Sequence, residues 1–324
     1  MTALEVEAKT GVRFSSRSLT VALAVAIGLL IPIQARINGQ LSKGLHDGIE
    51  AATLSFTGGL ILMTLVAMFS PKLRGGLRTY ATSIRARELP RRYLAAGVFG
   101  STLALAQSTT ALTIGVAVFT VAAIAGQTLS GLLIDSIGFG GSPKRRPGPQ
   151  RLTGAGLILV AAVIAAIPQL TSTSSLLSIL LPALAPLIAG FLLGFQQAMN
   201  GATGAKTGSP LAATWANFFV GAVFLAIVWG VKSAFTGGPQ SMPTDWWVYL
   251  GGLCGVIFIG ASVVLVRKIG VLLLGMGSIA GQLVGSILLD LALPSAGSSL
   301  SVLTAVGAGL TLIAVATAAR ERQK

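Results

Sequence analysis

The chain is short of the residues that perform chemistry in water. It has one cysteine, Cys254, and one histidine, His46. A lone cysteine excludes an intramolecular disulfide and a cysteine-built metal site, and inside an apolar run Cys254 reads as a small buried hydrophobe. A lone histidine excludes multi-histidine zinc and di-iron centres and leaves any serine nucleophile without a spare base. No G-x-x-x-x-G-K-[ST] occurs, which removes Walker-type nucleotide hydrolysis. Neither a metal nor an organic cofactor is expected. Charge is scarce as well: 10% of residues are charged and only 9 are acidic, against about 25% charged in a soluble domain. Hydrophobic residues make up 53%, and the mean hydropathy is +0.83. Most of the chain therefore meets lipid or packed helices.

Apolar stretches of about 20 residues recur, the length that crosses a hydrocarbon core of about 30 Å. Spans are expected near Leu19–Ile37, Ala51–Ser70, Tyr93–Thr113, Ile114–Ile137 and Leu152–Leu170, then near Leu176–Met199, Leu211–Phe235, Trp247–Val266, Ile269–Leu293 and Ser299–Ala319. The third and fourth nearly touch, as do the eighth and ninth, so tight turns are assumed there. The net charge of +14 could suggest a nucleic-acid partner, but its distribution argues against one. Lys72, Arg74, Arg78, Arg85, Arg87, Arg91 and Arg92 share one connection, and Lys144, Arg145, Arg146 and Arg151 another. Such clusters beside apolar spans mark cytoplasmic loops. With the N-terminus inside, only Arg36, Lys43 and Lys232 of the 23 basic residues fall outside. Ten spans with both ends in the cytoplasm of a bacterial inner membrane satisfy this rule. Trp229, Trp246 and Trp247 flank one connection, as interfacial tryptophans do. The first span is too long for a signal-peptide core and lacks a small-residue cleavage site, so it reads as mature structure. Residues 1–18 and 320–324 read as cytoplasmic tails.

The chain repeats itself. Shifted by 162 residues, Gln34 meets Gln196, Asn38 meets Asn200, Gly39 meets Gly201, Phe56 meets Phe218 and Gly59 meets Gly221. Shifted by 155, Ile124-Ala125-Gly126-Gln127 returns unchanged as Ile279-Ala280-Gly281-Gln282, and Asp135 falls on Asp290. The offset drops because the basic connection after the second span is the longer one. Each half, residues 19–170 and 176–319, holds five spans. An odd number makes the second half enter from the opposite face, so the expected fold is an all-α integral membrane protein of ten helices in two inverted five-helix repeats. Inverted repeats are a transporter architecture with the substrate site at the midplane between them.

The ten spans, the fused five-helix repeats and the Q-x-x-x-N-G at Gln34–Gly39 and Gln196–Gly201 resemble the drug/metabolite transporter superfamily, and within it the YdcZ-type branch of EamA-like repeats. The resemblance covers about Leu19 to Ala319. It implies a ten-helix bundle with a central cavity and names no substrate.

Several residues could carry a solute site. Gln127 and Gln282 sit near the middles of their spans, where an unpartnered amide costs roughly 2–7 kcal/mol; they read either as interhelical glue or as substrate ligands. Ala122, Gly126 and Ser130, with Gly277, Gly281 and Gly285, form stripes at four-residue spacing that suit close helix packing. Gln34 and Gln196 lie a turn inside their spans and read as cavity lining. Asn38 and Asn200, in Asn-Gly steps, read as helix stops. Gln107 gives the third span a polar patch whose counterpart, Ser262, continues apolar. Asn217, opposite Ser55, is ambiguous between lining and packing. Asp135 and Asp290, near helix ends on opposite faces, are candidates for coupling or gating, with a simple solvated helix end as the plainer reading.

The expected function is a secondary transporter for a small metabolite or drug-like solute, working by alternating access. The missing midplane carboxylate fits a neutral or zwitterionic solute better than proton-coupled exchange of cations. A lipid flippase or scramblase would need a polar groove open to lipid, and a membrane-embedded enzyme a buried nucleophile and base. A channel would need rings of charge or carbonyls. The expected partners are the solute and the bilayer, with a homodimer left open and nucleic acid excluded.

Overall fold

A computed structural model describes residues 16–114, 116–141, 144, 148–170, 177–237 and 242–292, with isolated positions at 306, 309–310 and 313–314. All regular elements among the described residues are helical: α1 (Ser16–Gly28), α2 (Leu30–Leu45), α3 (Gly48–Phe69), α4 (Pro71–Arg85), α5 (Ala95–Ile114), α6 (Val116–Ile137), α7 (Pro149–Leu170), α8 (Leu177–Thr207), α9 (Pro210–Thr236), α10 (Gly251–Ile269) and α11 (Val271–Ala292), with short 3₁₀ turns between some of them. Six stretches are long and apolar enough to cross a membrane: Leu19–Leu45, Gly48–Phe69, Leu181–Thr207, Pro210–Thr236, Trp246–Ile269 and Val271–Leu289. The span expected at Ser299–Ala319 lies mostly outside the described residues.

Helix ends follow local chemistry. Pro32 has no N–H to offer Gly28, and the first span breaks there into α1 and α2. The Asn-Gly steps do not stop their helices, contrary to the sequence expectation. Asn38 and Asn200 lie inside α2 and α8, which run on to Leu45 and Thr207. The stops are His46 (φ 52°) and Gly208 (φ 63°), themselves partners at the 162 offset. Each is followed by an N-cap: Asp47 accepts from Ile49 N and Glu50 N, and Ser209 Oγ accepts from Ala212 N. The stop needs a left-handed residue followed by a side-chain cap, and the Asn-Gly steps lack the second part. The turn from α10 to α11 is made by Gly270 alone (φ 84°).

The basic connection after α3, expected as a cytoplasmic loop, is largely a helix. Ser70 caps α4 by accepting from Leu73 N, and Pro71 opens it. Leu73, Gly76 and Ser83 face inward while Lys72, Arg74, Arg78 and Arg85 are exposed.

The contacts establish antiparallel halves. At one face, hereafter the basic face, α4 lies on the start of α9, with Gly76 against Ser209 and Ala212, and Lys206 pairs with Glu88 at 2.8 Å. At the opposite face Lys232, late in α9, pairs with Asp47 at the start of α3 at 2.6 Å. Helices α3 and α9 are sequence counterparts and run in opposite directions side by side. The halves also interdigitate: α8 packs on α6, and its counterpart α1 packs on α11. Glycines permit both approaches. A Cβ on Gly190 would strike the Ala123 carbonyl, and one on its counterpart Gly28 would strike the Ser278 carbonyl. Lipid gives helices no hydrophobic reason to associate, so close contact of this kind must supply the packing energy.

Candidate functional site

Helices α2, α3, α5, α8, α9 and α10 line a partly open cavity of about 40 Å³ between the two halves. Its walls are Ile31, Gln34, Phe56, Gly100, Leu103, Ala104, Gln107, Leu193, Gln196, Phe218, Gly255, Phe258 and Ile259. Twelve of these form six counterpart pairs: 31/193, 34/196 and 56/218 at the 162 offset, and 100/255, 103/258 and 104/259 at the 155 offset. Gln107 is the unmatched member, its counterpart being Ser262. The cavity therefore lies on the pseudo-two-fold axis. Phe56 and Phe218 meet across it with ring centroids 5.1 Å apart and planes tilted by 41°. In this conformation it is a narrow cleft with room for roughly a few water molecules.

Glycines aim the two symmetric glutamines. A Cβ on Gly100 would run into the Gln196 amide, and a Cβ on Gly255 would stand 3.2 Å from Gln34 Nε2. One turn away, Gly97 rests against the Asn217 carbonyl and Gly221 N, while Gly252 rests against the Ser55 carbonyl and Gly59 N. Missing side chains on α5 and α10 thus become space for amides from the opposing half.

On the basic-face side, the amides link up. Gln196 Nε2 and Asn200 Nδ2 both donate to Asn217 Oδ1, each at 3.0 Å. That leaves Gln196 Oε1 and Asn217 Nδ2 buried with no hydrogen-bond partner among the described residues. Asn200 and Asn217 also line a second, smaller pocket of about 10 Å³, with Tyr80, Tyr93, Leu94, Ala96, Gly97, Thr203, Ala213 and Ala216. Burial pushes the Tyr80 phenol up to about 12, so that wall stays uncharged. The equivalent region toward the opposite face is filled. Gly251 packs directly on Asn38 and Ser55, beside an apolar cluster of Leu41, Leu45, Ala51 and Val248.

The other sequence candidates are placed elsewhere. Gln127 is buried between α6 and α11, its Nε2 donating to Ser278 Oγ at 3.4 Å, and it does not line the cavity. Gln282 is half-buried on α11 and is also absent from the cavity wall. Gly126 faces the backbone of Leu187 and Phe191; Gly281 meets Val25 and Gly28, Gly277 meets Ala24, and Gly285 meets Pro32 and Leu29. Asp135 is not a solvated helix end. It is 4% exposed, pairs with Arg151 at 3.2 Å, and accepts from Val271 N at 2.8 Å and Leu272 N at 3.3 Å. The bare N-terminus of α11 draws the carboxylate inward. The side chain of Asp290 lies outside the described residues. Sequence reasoning used Phe56 and Phe218 as repeat markers without seeing them as cavity walls. It also passed over Gln197, 2% exposed with neither amide atom partnered among the described residues. Its register partner is Ala35, so the repeat gave no signal there.

The comparisons fit this geometry. The sequence model of a family described as "Putative inner membrane exporter, YdcZ" matches residues 19–164 and again 181–317. The chain belongs to this family. The YdcZ family places it among inner-membrane transporters, and the two matches coincide with the two halves seen in the fold. A crystal structure described only as "Crystal structure of protein" shares the fold with a TM-score of 0.65 at 16% identity, covering 94% of this chain and 96% of the other. Among curated proteins nothing matches.

Proposed function

We propose that this YdcZ-family chain is a secondary transporter that moves a small uncharged solute by alternating access, rocking its two halves about the axial cavity. The observation that supports this most is the composition of the cavity wall, drawn in symmetric pairs from both halves. A site on the axis can be exposed to either face by equivalent motions of equivalent helices. The reading includes ten spans, repeats at 19–170 and 176–319, and both termini in the cytoplasm, which makes the basic face the inner one. It assigns the chain no enzymatic chemistry. In this conformation the pocket beside Asn217 is a vestibule toward the inner face, while the outer half is packed shut. An inner vestibule suits loading from the cytoplasm, the direction that the family's description as an exporter implies. Gln34, Gln196 and Gln107 are the proposed substrate ligands in the cavity, with Asn217 beside them.

The test is reconstitution. Purified protein is screened for thermal stabilisation by a library of small metabolites, and each stabilising compound is followed into proteoliposomes. Saturable flux that falls at least about tenfold in Gln34→Leu and Gln196→Leu, each removing a hydrogen-bonding side chain from the wall, supports the reading. Unchanged flux in both variants rejects the cavity as the site.

A further inference from the structure

The inner and outer halves of the pathway differ at matched positions. Asn217 stands where the outer half has Ser55, Thr203 where it has Leu41, and Tyr93 where it has Val248. At these three positions the polar member is on the vestibule side, while at Leu94 against Tyr249 it is on the outer side. Asn217 belongs to two spaces at once. It lines the vestibule, and its Oδ1 takes the hydrogen bond of Gln196, a residue of the cavity wall. The partition between vestibule and cavity is therefore one amide resting on another.

That partition is incompletely bonded. Asn217 Oδ1 receives two donors, while Asn217 Nδ2 and Gln196 Oε1 have no partner among the described residues, and both side chains are 2% exposed. One orphan is a donor and the other an acceptor, on residues joined by a 3.0 Å hydrogen bond. A ligand offering an acceptor beside a donor would satisfy both. An ion would satisfy one and lose its hydration without a countercharge, because no Asp, Glu, Lys or Arg among the described residues lines either space.

We propose that Gln196 and Asn217, held by Asn200, form a recognition site at the vestibule–cavity junction for an uncharged solute with adjacent hydrogen-bond donor and acceptor groups, as in a carboxamide or urea. This rests on the transporter reading and adds the substrate class and the residues that select it. Gln196 Oε1 accepts from the solute N–H, Asn217 Nδ2 donates to its carbonyl, and the phenylalanines beyond receive the apolar remainder.

The probes are benzamide and its charged analogues benzoate and benzylammonium, added to purified full-length protein and read as binding isotherms. Benzamide binds and the two ions do not, and Asn217→Ser, which installs the outer half's residue, weakens benzamide about tenfold through loss of one hydrogen bond. Asn217→Asp keeps the oxygen that receives Gln196 and Asn200 but exchanges the free donor for an anionic acceptor. It loses benzamide and gains benzylammonium, a swap that a merely structural role would not produce. Equal binding of either ion by the wild type, no benzamide binding, or benzamide binding unchanged in both variants overturns the proposal. Flux separates the two levels. Benzamide that binds but never crosses in proteoliposomes refutes transport and leaves the recognition site. Saturable flux of another solute, insensitive to both variants, refutes the recognition site and leaves transport.

Discussion

Removing the charge of Asp135 should destabilise the bundle far more than removing a surface aspartate. The carboxylate sits 4% exposed at the end of α6, and its partners on two other helices include Arg151 at the start of α7 and the Val271 and Leu272 amides at the start of α11. It therefore ties the first half to the second. In Asp135→Asn the shape survives and one oxygen can still accept from Val271 N, but the Arg151 guanidinium, 3% exposed, loses the carboxylate it pairs with. Breaking a buried pair from one side costs about 3–5 kcal/mol, a large part of the roughly 5–15 kcal/mol that holds a protein folded. Arg151→Met should cost less, because the remaining carboxylate keeps two backbone N–H donors and a helix N-terminus, an arrangement that contributes up to about 2 kcal/mol. The double variant Asp135→Asn/Arg151→Met should cost less than the sum of the single ones, with a coupling of about 1–3 kcal/mol. Unfolding in mixed micelles, followed for all four proteins, measures the cycle. Costs that simply add, or an Asp135→Asn protein within about 0.5 kcal/mol of wild type, would refute the staple and return Asp135 to the role of a solvated helix end.

Three further outcomes are expected. In a Cys254→Ser background, a cysteine at Thr173 should react with an impermeant thiol reagent in whole cells and one at Ser142 only after lysis; the reverse pattern rejects the orientation. Gly100→Val should abolish flux, because a Cβ there collides with the Gln196 amide of the opposite half, and Gly255→Val should lower it, because a Cβ there stands 3.1 Å from Phe218 and 3.2 Å from Gln34 Nε2, whereas Gln127→Leu should lower the unfolding midpoint slightly, consistent with about 0.6–2 kcal/mol for an interhelical hydrogen bond, and keep flux. Burial works to raise the pKa of Asp47, but the hydrogen bond from Lys232 and the N–H groups of Glu50 and Ile49 outweigh it and hold the carboxyl below its ordinary value; its stabilisation is thus complete above about pH 4 and is lost as pH falls through the lowered folded value, so thermal unfolding of Asp47→Asn should depend less on pH in that acidic range than the wild type.

Much of the fold is legible in the sequence because a bilayer imposes few solutions. Apolar length marks the spans and the repeat marks the halves. What stays hidden is set by neighbours distant in sequence. The Asn-Gly steps look like stops because both residues tolerate a left-handed backbone, yet inside α2 and α8 the asparagines are buried between helices. The real stops, His46 and Gly208, are recognisable only with the caps Asp47 and Ser209 that follow them. Helix α4 was hidden for a different reason: its positive charge dominates the segment, and its apolar contact is little more than Leu73 and the Gly76 face.

The site was legible as a set of candidates, with no ranking among them. Gln127 and Gln282 match at one offset as well as Gln34 and Gln196 match at the other, and a register cannot say which pair faces the axis. The deciding information lies on other helices. An amide can point into a cavity only where the opposing helix leaves a gap, and Gly100 and Gly255 leave it opposite Gln196 and Gln34. Those glycines are themselves partners at the 155 offset, so the clue is present in the sequence. It becomes readable only once α5 is known to lie against α8, and α10 against α2. The same reasoning shows why the departures from symmetry matter. Packing about an axis demands that the halves match, and where they do not, at Asn217 against Ser55 and Gln107 against Ser262, packing alone does not require the difference. Those are the positions where a bound solute can have set the residue.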